Sequence, residues 1–145
     1  MKTIQPAPLL KFALIADAIA CAPLALLQVA APDWLASQTA IPAALLTGSG
    51  TFLLLYTALL LVLATRPSVW KAMIELVIVG NVGWGLACFG LLLAAPFAPS
   101  ALGAGYLILQ LLAVLALAAL EWRGLRASAL NTQTRSDRAH LAPGR

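Results

Sequence analysis

Four long apolar segments, separated by short links that contain proline, constrain this chain more than any other feature of its sequence. They cover approximately residues 9–31, 42–65, 69–95 and 101–120. Each is close to the ~20 residues that an α-helix needs to cross about 30 Å of hydrocarbon. The segments are continuously apolar rather than alternating, which argues against a transmembrane β-barrel. The sequence therefore predicts an all-α integral membrane protein, a four-helix bundle whose helices run alternately up and down.

The overall composition also indicates a lipid environment. Of the 145 residues, 62% are hydrophobic and 10% are charged, whereas soluble domains contain about 45–50% apolar and roughly 25% charged residues. The formal net charge is +4, but the basic residues lie between and after the apolar segments rather than in one folded patch, so nucleic acid is not an expected partner. We expect one membrane domain over 1–126 and a polar, basic tail over 127–145 that is disordered.

The basic residues predict how the chain is oriented, because Lys and Arg concentrate in cytoplasmic loops. All nine fall on one side of the predicted membrane, and the links at 32–41 and 96–100 contain none. They are Lys2, Lys11, Arg66, Lys71, Arg123, Arg126, Arg135, Arg138 and Arg145. Both termini are therefore expected in the cytoplasm, with the helices in a bacterial inner (plasma) membrane.

The first apolar segment has some features of a secretory signal. Lys2 and Lys11 precede it, and Val-Ala-Ala at 29–31 resembles a small-residue cleavage site. The apolar stretch is longer than the usual 7–15 residues. It also contains Asp17, and Pro32 would follow the cut. We expect a retained helix.

Polar residues inside the apolar segments mark the candidate site, because ionisable groups in a bilayer core usually face the bundle interior or a cavity. Asp17 lies ~12 Å from the cytoplasmic start of its helix at 1.5 Å per residue. Helical spacing places Asp17 on one stripe with Cys21, Leu24 and Gln28. This stripe is expected to face inward.

Three other segments carry polar residues at comparable depths. Counting from the helix ends places Tyr56, Asn81 and Gln110 near the level of Asp17, and Trp84 shares a helix face with Asn81. The predicted intramembrane polar site is therefore Asp17, Tyr56, Asn81, Trp84 and Gln110. Two interpretations remain open. The residues either hydrogen-bond across helices and fix their register, at ~0.6–2 kcal/mol per pair, or form a small-molecule or proton site.

The remaining distinctive residues have structural explanations. Lys71 and Glu75 are spaced to form an ion pair at the cytoplasmic rim. Cys21 and Cys88 lie at different depths and are expected to act as small apolar residues. His140 is a single histidine in the tail and cannot form a structural zinc site alone. No cofactor, metal or catalytic constellation is predicted, so we do not expect an enzyme.

Glycines are concentrated in the second and third segments. Small residues let helix backbones approach closely in membranes. We expect this packing role for Gly48, Gly50, Gly80, Gly83, Gly85 and Gly90.

The sequence LALAALEWRGLR at 115–126, together with Asn-Val-Gly-Trp at 81–84, resembles small four-helix bacterial inner-membrane proteins, which usually carry no assigned function. This resemblance implies no catalytic residues. Glu121, Arg123 and Arg126 are expected at the cytoplasmic boundary, where charged anchors are common.

Two other groups of membrane proteins are similar in plan. Small multidrug-resistance transporters share the size and the four helices and use a carboxylate in the first helix, for which Asp17 would be the matching position. That family has glutamate there, and its helix-one motif is absent from this chain. The likeness to DoxX-like proteins, which accompany redox enzymes, is one of architecture alone.

Two classes of function follow from the sequence. The favoured one is a non-enzymatic accessory or assembly protein that acts through helix contacts. The alternative is a small oligomeric transporter or proton-coupled carrier that uses Asp17. The expected partners are the lipid bilayer and, within it, either another membrane protein or a second copy of the chain.

Overall fold

The computed structural model describes the backbone of residues 3–141 and the side chains as far as Ser128. Within this part the chain is all-helical apart from two strands of two residues each. Four helices are long and apolar enough to cross a membrane, as predicted. The elements are β1 (Thr3–Ile4), α1 (Pro8–Ala30), α2 (Pro32–Thr39), α3 (Ala43–Thr65), β2 (Val69–Trp70), α4 (Lys71–Ala94) and α5 (Ala101–Leu141).

Prolines set several of the helix boundaries. Pro8 and Pro32 occupy the first turns of α1 and α2, where the missing N–H has no helical partner to lose. At the end of α4, Ala95 is extended, as expected for a residue that precedes a proline. Between α2 and α3 the chain turns through Ala40, whose φ is 55°.

The bundle is organised around α1, which packs against both α3 and α5, while α4 packs against α5. Two glycines let α1 approach its neighbouring helices closely. A Cβ added at Gly124 would lie 2.6 Å from the Leu10 Cα, and one at Gly50 would lie 2.6 Å from the Gln28 Cβ. The helices α3 and α4 are consecutive, yet they are not among the pairs whose backbones pack closely. The contact between α3 and α4 is therefore made by side chains, for example by Phe52 and Trp84.

Short contacts bring the connecting segments together at the two ends of the bundle. At one end β1 pairs with β2 in antiparallel register, with Thr3 opposite Trp70. At the same end the Ala7 N–H donates to the Ser128 Oγ over 2.8 Å. At the other end the Ser100 N–H donates to the Thr39 carbonyl oxygen over 2.9 Å. The β pairing and Ser128 thus mark one end, and α2 and the α4–α5 link mark the other.

The apolar side chains divide between a core and an outer surface. The largest buried cluster lies toward the β1–β2 end and includes Leu10, Leu14, Leu60 and Ile74. Many large apolar side chains instead face outward along the long helices; examples are Phe12, Leu55, Leu76, Leu86, Leu93 and Leu109. Such a surface is expected where lipid is the solvent.

Two elements differ from the sequence-based expectation. The link at 32–41 contains the helix α2, which Pro32 and Asp33 favour in its first turn. The last helix does not end near residue 120, since α5 continues to Leu141. Its backbone is helical over 127–141, where Ala, Leu, Arg and Gln are good helix formers, and the disorder of the tail stays a prediction. The side chains of Arg135, Arg138 and His140, and the terminal Lys2 and Arg145, lie outside the described part of the chain.

Candidate functional site

Five polar side chains from the four long helices meet in the interior. The Asn81 Nδ2 donates to the Asp17 Oδ2 over 2.9 Å and to the Glu121 Oε2 over 3.1 Å. The Tyr56 hydroxyl donates to the Asp17 Oδ2 over 3.0 Å. The Cys21 thiol donates to the Asp17 Oδ1 over 3.4 Å. We call Asp17, Cys21, Tyr56, Asn81 and Glu121 the acid cluster.

Packing between α1 and α5 explains why the two carboxyl groups are neighbours. Leu10 and Asp17 are seven residues apart and therefore lie on the same face of α1. Gly124 lets the α5 backbone press against Leu10. Glu121 is one turn before Gly124 and therefore faces α1. The same close approach buries Glu121 completely, with 0% of its surface exposed.

The acid cluster holds two carboxyl groups and no basic side chain. Among the described residues the one ion pair joins Lys71 to Glu75, outside the cluster. Within the same part of the chain, the Glu121 Oε1 is the one buried side-chain oxygen or nitrogen without a hydrogen-bond partner. Two adjacent negative charges in a low-dielectric interior repel each other strongly. The cluster thus places two carboxyl groups beside one shared amide without a basic partner among the described residues.

A small cavity of about 60 Å³ adjoins the acid cluster, roughly the liquid volume of two water molecules at ≈ 30 Å³ each. Residues from α1, α3, α4 and α5 line it. The Trp84 Nε1 donates to the Gln110 Oε1 over 3.1 Å at its edge. Phe52 stacks on Trp84, with ring centroids 5.9 Å apart, and bridges α3 and α4. The structure brings all five residues of the predicted polar site to this cavity: Asp17, Tyr56, Asn81, Trp84 and Gln110.

A second polar cluster lies farther along α1, toward α2. The Ser49 hydroxyl donates to the Gln28 Oε1 over 2.6 Å, and the Gln28 Nε2 donates to the Tyr106 hydroxyl. We call Gln28, Ser49 and Tyr106 the amide cluster. It borders a second cavity of about 320 Å³, whose lining includes Trp84 and Gln110. These two side chains line both cavities.

Glu121 corrects the sequence-based expectation most clearly. The sequence places it at the cytoplasmic boundary as a charged anchor, but it is fully buried beside Asp17. The expectation was wrong because α5 does not end near residue 120 and because Gly124 draws its continuation against α1. No local sequence pattern marks this burial, because the contact that decides it joins distant parts of the chain.

Other sequence-based expectations have mixed outcomes. The inward stripe is confirmed, with Asp17, Cys21 and Gln28 buried and Leu24 partly buried. The ion pair itself is also confirmed, since the Lys71 Nζ lies 2.7 Å from the Glu75 Oε1.

The glycines do not all pack as expected. Gly50 and Gly85 contact neighbouring helices closely. In contrast, an added Cβ would meet nothing within 4 Å at four of the six positions: Gly48, Gly80, Gly83 and Gly90. These four sites are open because they lie on outward faces of α3 and α4.

The two cysteines sit in different surroundings. Cys21 and Cys88 are both free and buried. Cys21 donates to Asp17, whereas Cys88 packs in the apolar cluster of Leu46 and Leu107. Cys88 therefore has the apolar packing role that the sequence predicts, and Cys21 also belongs to the acid cluster.

No family model, curated protein or solved structure matches this chain. The two clusters and their cavities are therefore the basis on which a function can be assigned.

Proposed function

We propose that this chain is a small proton-coupled membrane carrier in which Asp17 and Glu121 hold an exchangeable proton beside a cavity. The observation that carries the proposal is the burial of both carboxyl groups against one amide, that of Asn81. With no basic side chain paired to either carboxyl among the described residues, the pair is expected to share a proton. Intramembrane carboxyl groups of this kind commonly serve proton relays and substrate paths.

The unpartnered oxygen of Glu121 supports the same idea. An ionised carboxylate only accepts hydrogen bonds, whereas a protonated carboxyl also donates one. A proton placed between Asp17 and Glu121 would supply a donor where two acceptors otherwise face each other. When the proton leaves, the hydroxyl of Tyr56 and the amide of Asn81 remain to stabilise the carboxylate that is left.

In this proposal the neighbouring cavity couples the proton to the binding of a solute. Loss of the proton makes the cavity beside Asp17 negative and favours a cation or a hydrogen-bond donor small enough for about 60 Å³. Return of the proton removes that attraction and favours release. In this cycle Asp17 and Glu121 are the proton site, and Tyr56 and Asn81 position and stabilise it.

The first experiment asks whether the proton exists and exchanges. The chain is reconstituted in liposomes, and infrared spectra are recorded in H₂O and in D₂O for the C=O stretch of protonated carboxylic acids. We expect a band that shifts in D₂O and that is lost in Asp17→Asn and in Glu121→Gln, but not in the rim control Glu75→Gln. Absence of the band, or a band that D₂O leaves unchanged, contradicts an exchangeable proton.

The second experiment asks whether the proton is coupled to transport. Currents are recorded on solid-supported membranes under a proton gradient while a panel of small cationic and neutral solutes is applied. A carrier gives a proton-coupled current with at least one solute, and Asp17→Asn abolishes it while the variant still folds. A wild-type chain that gives no such current with the whole panel overturns the carrier proposal.

The proposal places both termini in the cytoplasm and the four helices across a bacterial inner membrane, alternately up and down. The contacts that support this are at the β1–β2 end, where Arg66 and Lys71 flank β2. There the Arg126 guanidinium also lies 5.9 Å from the centroid of the Trp122 ring. Basic and aromatic side chains together are typical of the cytoplasmic interface.

Orientation is tested with a membrane-impermeant thiol reagent on intact cells. Ser37→Cys on α2 should be labelled directly, and Arg66→Cys only after permeabilisation. Both native thiols are buried, and the unmodified chain serves as the background control. The reverse labelling pattern overturns the assignment.

A second candidate function is the accessory or assembly role, which one observation favours. Gly80, Gly83, Ala87 and Gly90 form an exposed stripe along α4. Such a stripe permits close approach of a helix from another membrane protein or from a second copy. Purification in mild detergent should then yield a stoichiometric partner or a dimer, and Gly83→Leu should remove it. A chain that remains alone, or an unaffected complex in Gly83→Leu, contradicts this role. Neither candidate function is enzymatic.

A further inference from the structure

We propose that the cavity beside the amide cluster is a binding site for a neutral amphipathic molecule from the bilayer. Its polar head, a hydroxyl or carbonyl group, would contact Gln28, Ser49 and Tyr106, and its apolar body would lie between α3 and α4. The site uses no residue of the acid cluster. It therefore stands independently of the carrier proposal.

The size of this cavity suits a small molecule. Its volume of about 320 Å³ exceeds that of the cavity at Asp17 about fivefold and lies within the ≈ 300–1,000 Å³ range of ligand pockets. Apolar side chains such as Ile41, Leu46, Leu91 and Leu107 form most of its wall. A body of hydrocarbon would remain in apolar surroundings there.

The cavity reaches the outer surface of the bundle between α3 and α4. Its lining includes Leu45, Gly48 and Ala87, all of which are exposed on the outer faces of α3 and α4. The backbones of α3 and α4 do not pack closely, and Gly48 has no atom within 4 Å of an added Cβ. A molecule dissolved in the bilayer can therefore enter sideways between these two helices.

The amide cluster provides both kinds of hydrogen-bonding group. The Tyr106 hydroxyl accepts from Gln28, and its one hydrogen can be donated. The Ser49 hydroxyl donates to Gln28 and keeps lone pairs for acceptance. A ligand hydroxyl can use both groups, and a ligand carbonyl can use the tyrosine.

The absence of charge in the lining limits the class of ligand. No residue that lines this cavity is charged, within the part of the chain whose side chains are described. A charged head group would lose its hydration without gaining a counter-charge, which is unfavourable in an apolar interior. The site thus selects a neutral head.

Trp84 offers a direct readout because it lines the cavity. The other three tryptophans, Trp34, Trp70 and Trp122, are at least half exposed, so their replacement by Phe leaves Trp84 as the single reporter. The triple variant is placed in nanodiscs that each hold one chain, and its fluorescence is quenched with bromine-labelled probes. The probes are 10-bromodecanol, 1-bromodecane without a head group, and (10-bromodecyl)trimethylammonium with a charged head.

We expect saturable quenching by 10-bromodecanol at roughly one fifth of the concentration that 1-bromodecane requires, the effect of about one net hydrogen bond. The charged probe should be the weakest of the three. If 10-bromodecanol and 1-bromodecane require the same concentration for quenching, the site is overturned. The same holds if quenching rises linearly without saturation, because the probes then only partition into lipid.

Three variants locate the effect. Gly48→Leu places a side chain at the outer edge of the cavity without a backbone clash, whereas Gly90→Leu adds the same side chain at another open glycine that does not line it. Saturable quenching should disappear in Gly48→Leu and persist in Gly90→Leu. Tyr106→Phe removes a single oxygen atom and should erase the preference for 10-bromodecanol over 1-bromodecane. Equal quenching in the two leucine variants, or an unchanged preference in Tyr106→Phe, contradicts the proposal.

Discussion

The acid cluster and the amide cluster differ in charge and in how much space adjoins them. The acid cluster gathers two carboxyl groups, with donors from three other side chains, beside a cavity of about 60 Å³. The amide cluster is neutral and borders a cavity of about 320 Å³. Charged groups lose more than neutral ones when they are removed from water, so they require more donors from the protein. The acid cluster is therefore expected to depend more strongly on its hydrogen-bond donors than the amide cluster does.

The largest effect should come from removing the amide that both carboxyl groups share. Asn81→Leu replaces a donor of similar size by an apolar side chain and leaves the Asp17 and Glu121 oxygens without it. We expect a loss of about 3 kcal/mol in the free energy of unfolding, because unsatisfied buried acceptors are expensive. Gln28→Leu, the matched change in the amide cluster, should lose about 1 kcal/mol.

Equilibrium unfolding in lipid–detergent mixtures measures both losses. Retention of helix content and of a single peak in size exclusion serves as the control that each variant folds. Gln28→Leu could instead lower the free energy of unfolding as much as Asn81→Leu, or more. That result would contradict the idea that charge makes the acid cluster depend more on its hydrogen-bond donors.

A double-mutant cycle sharpens the same comparison. If Asp17 and Glu121 share a proton, Asp17→Asn and Glu121→Gln should be coupled by about 1–2 kcal/mol, within the range for residues in one network. Asp17→Asn combined with Ser49→Ala should be additive within roughly 0.5 kcal/mol. The reason is distance, since Asp17 and Gln28 are eleven residues apart on α1, or ~16 Å. Additive carboxyl variants would show that the two groups do not interact.

Much of the acid cluster could be predicted from the sequence by counting depth along each helix. That counting works because the rise per residue is constant, and it brought Asp17, Tyr56 and Asn81 to one level. It could not place Glu121, because hydropathy falls at the end of the fourth segment whether the helix stops or continues. The packing of Gly124 on Leu10 decides that question, and such a contact between distant parts of the chain has no local pattern.

The amide cluster shows the same limit of prediction from the sequence. Gln28 could be placed on the inward stripe, and this is confirmed. Ser49 and Tyr106 were missed because serine and tyrosine in an apolar helix give no directional signal unless the neighbouring helix is known. Gly50, next to Ser49, was the available clue, since its close approach to Gln28 brings the serine to the glutamine.

The two tyrosines allow a matched test of a single hydroxyl. Tyr56→Phe removes the donor to Asp17 and should lower the free energy of unfolding by about 2 kcal/mol if the acceptor carries charge. Tyr106→Phe removes a hydroxyl that contacts neutral Gln28 and should lower it by about 1 kcal/mol or less. Both changes keep the ring, so packing is preserved. Equal losses in the same unfolding measurement would indicate that Asp17 is neutral when Tyr56 contacts it.

The smallest effect should come from the carboxylate that lies at the rim. Glu75 pairs with Lys71 over 2.7 Å, with 44% and 41% of the two side chains exposed. Exposed ion pairs contribute about 0–1 kcal/mol and are screened by salt, so Glu75→Gln should change the free energy of unfolding by less than about 0.5 kcal/mol. Repeating the measurement at high salt should remove even that change. A larger or salt-independent loss would mean that Glu75 has a buried role resembling that of Glu121, and the contrast between rim and interior carboxyl groups would then fail. A result within the expected range assigns the special behaviour of Asp17 and Glu121 to their burial, since Glu75 and Glu121 have the same side chain.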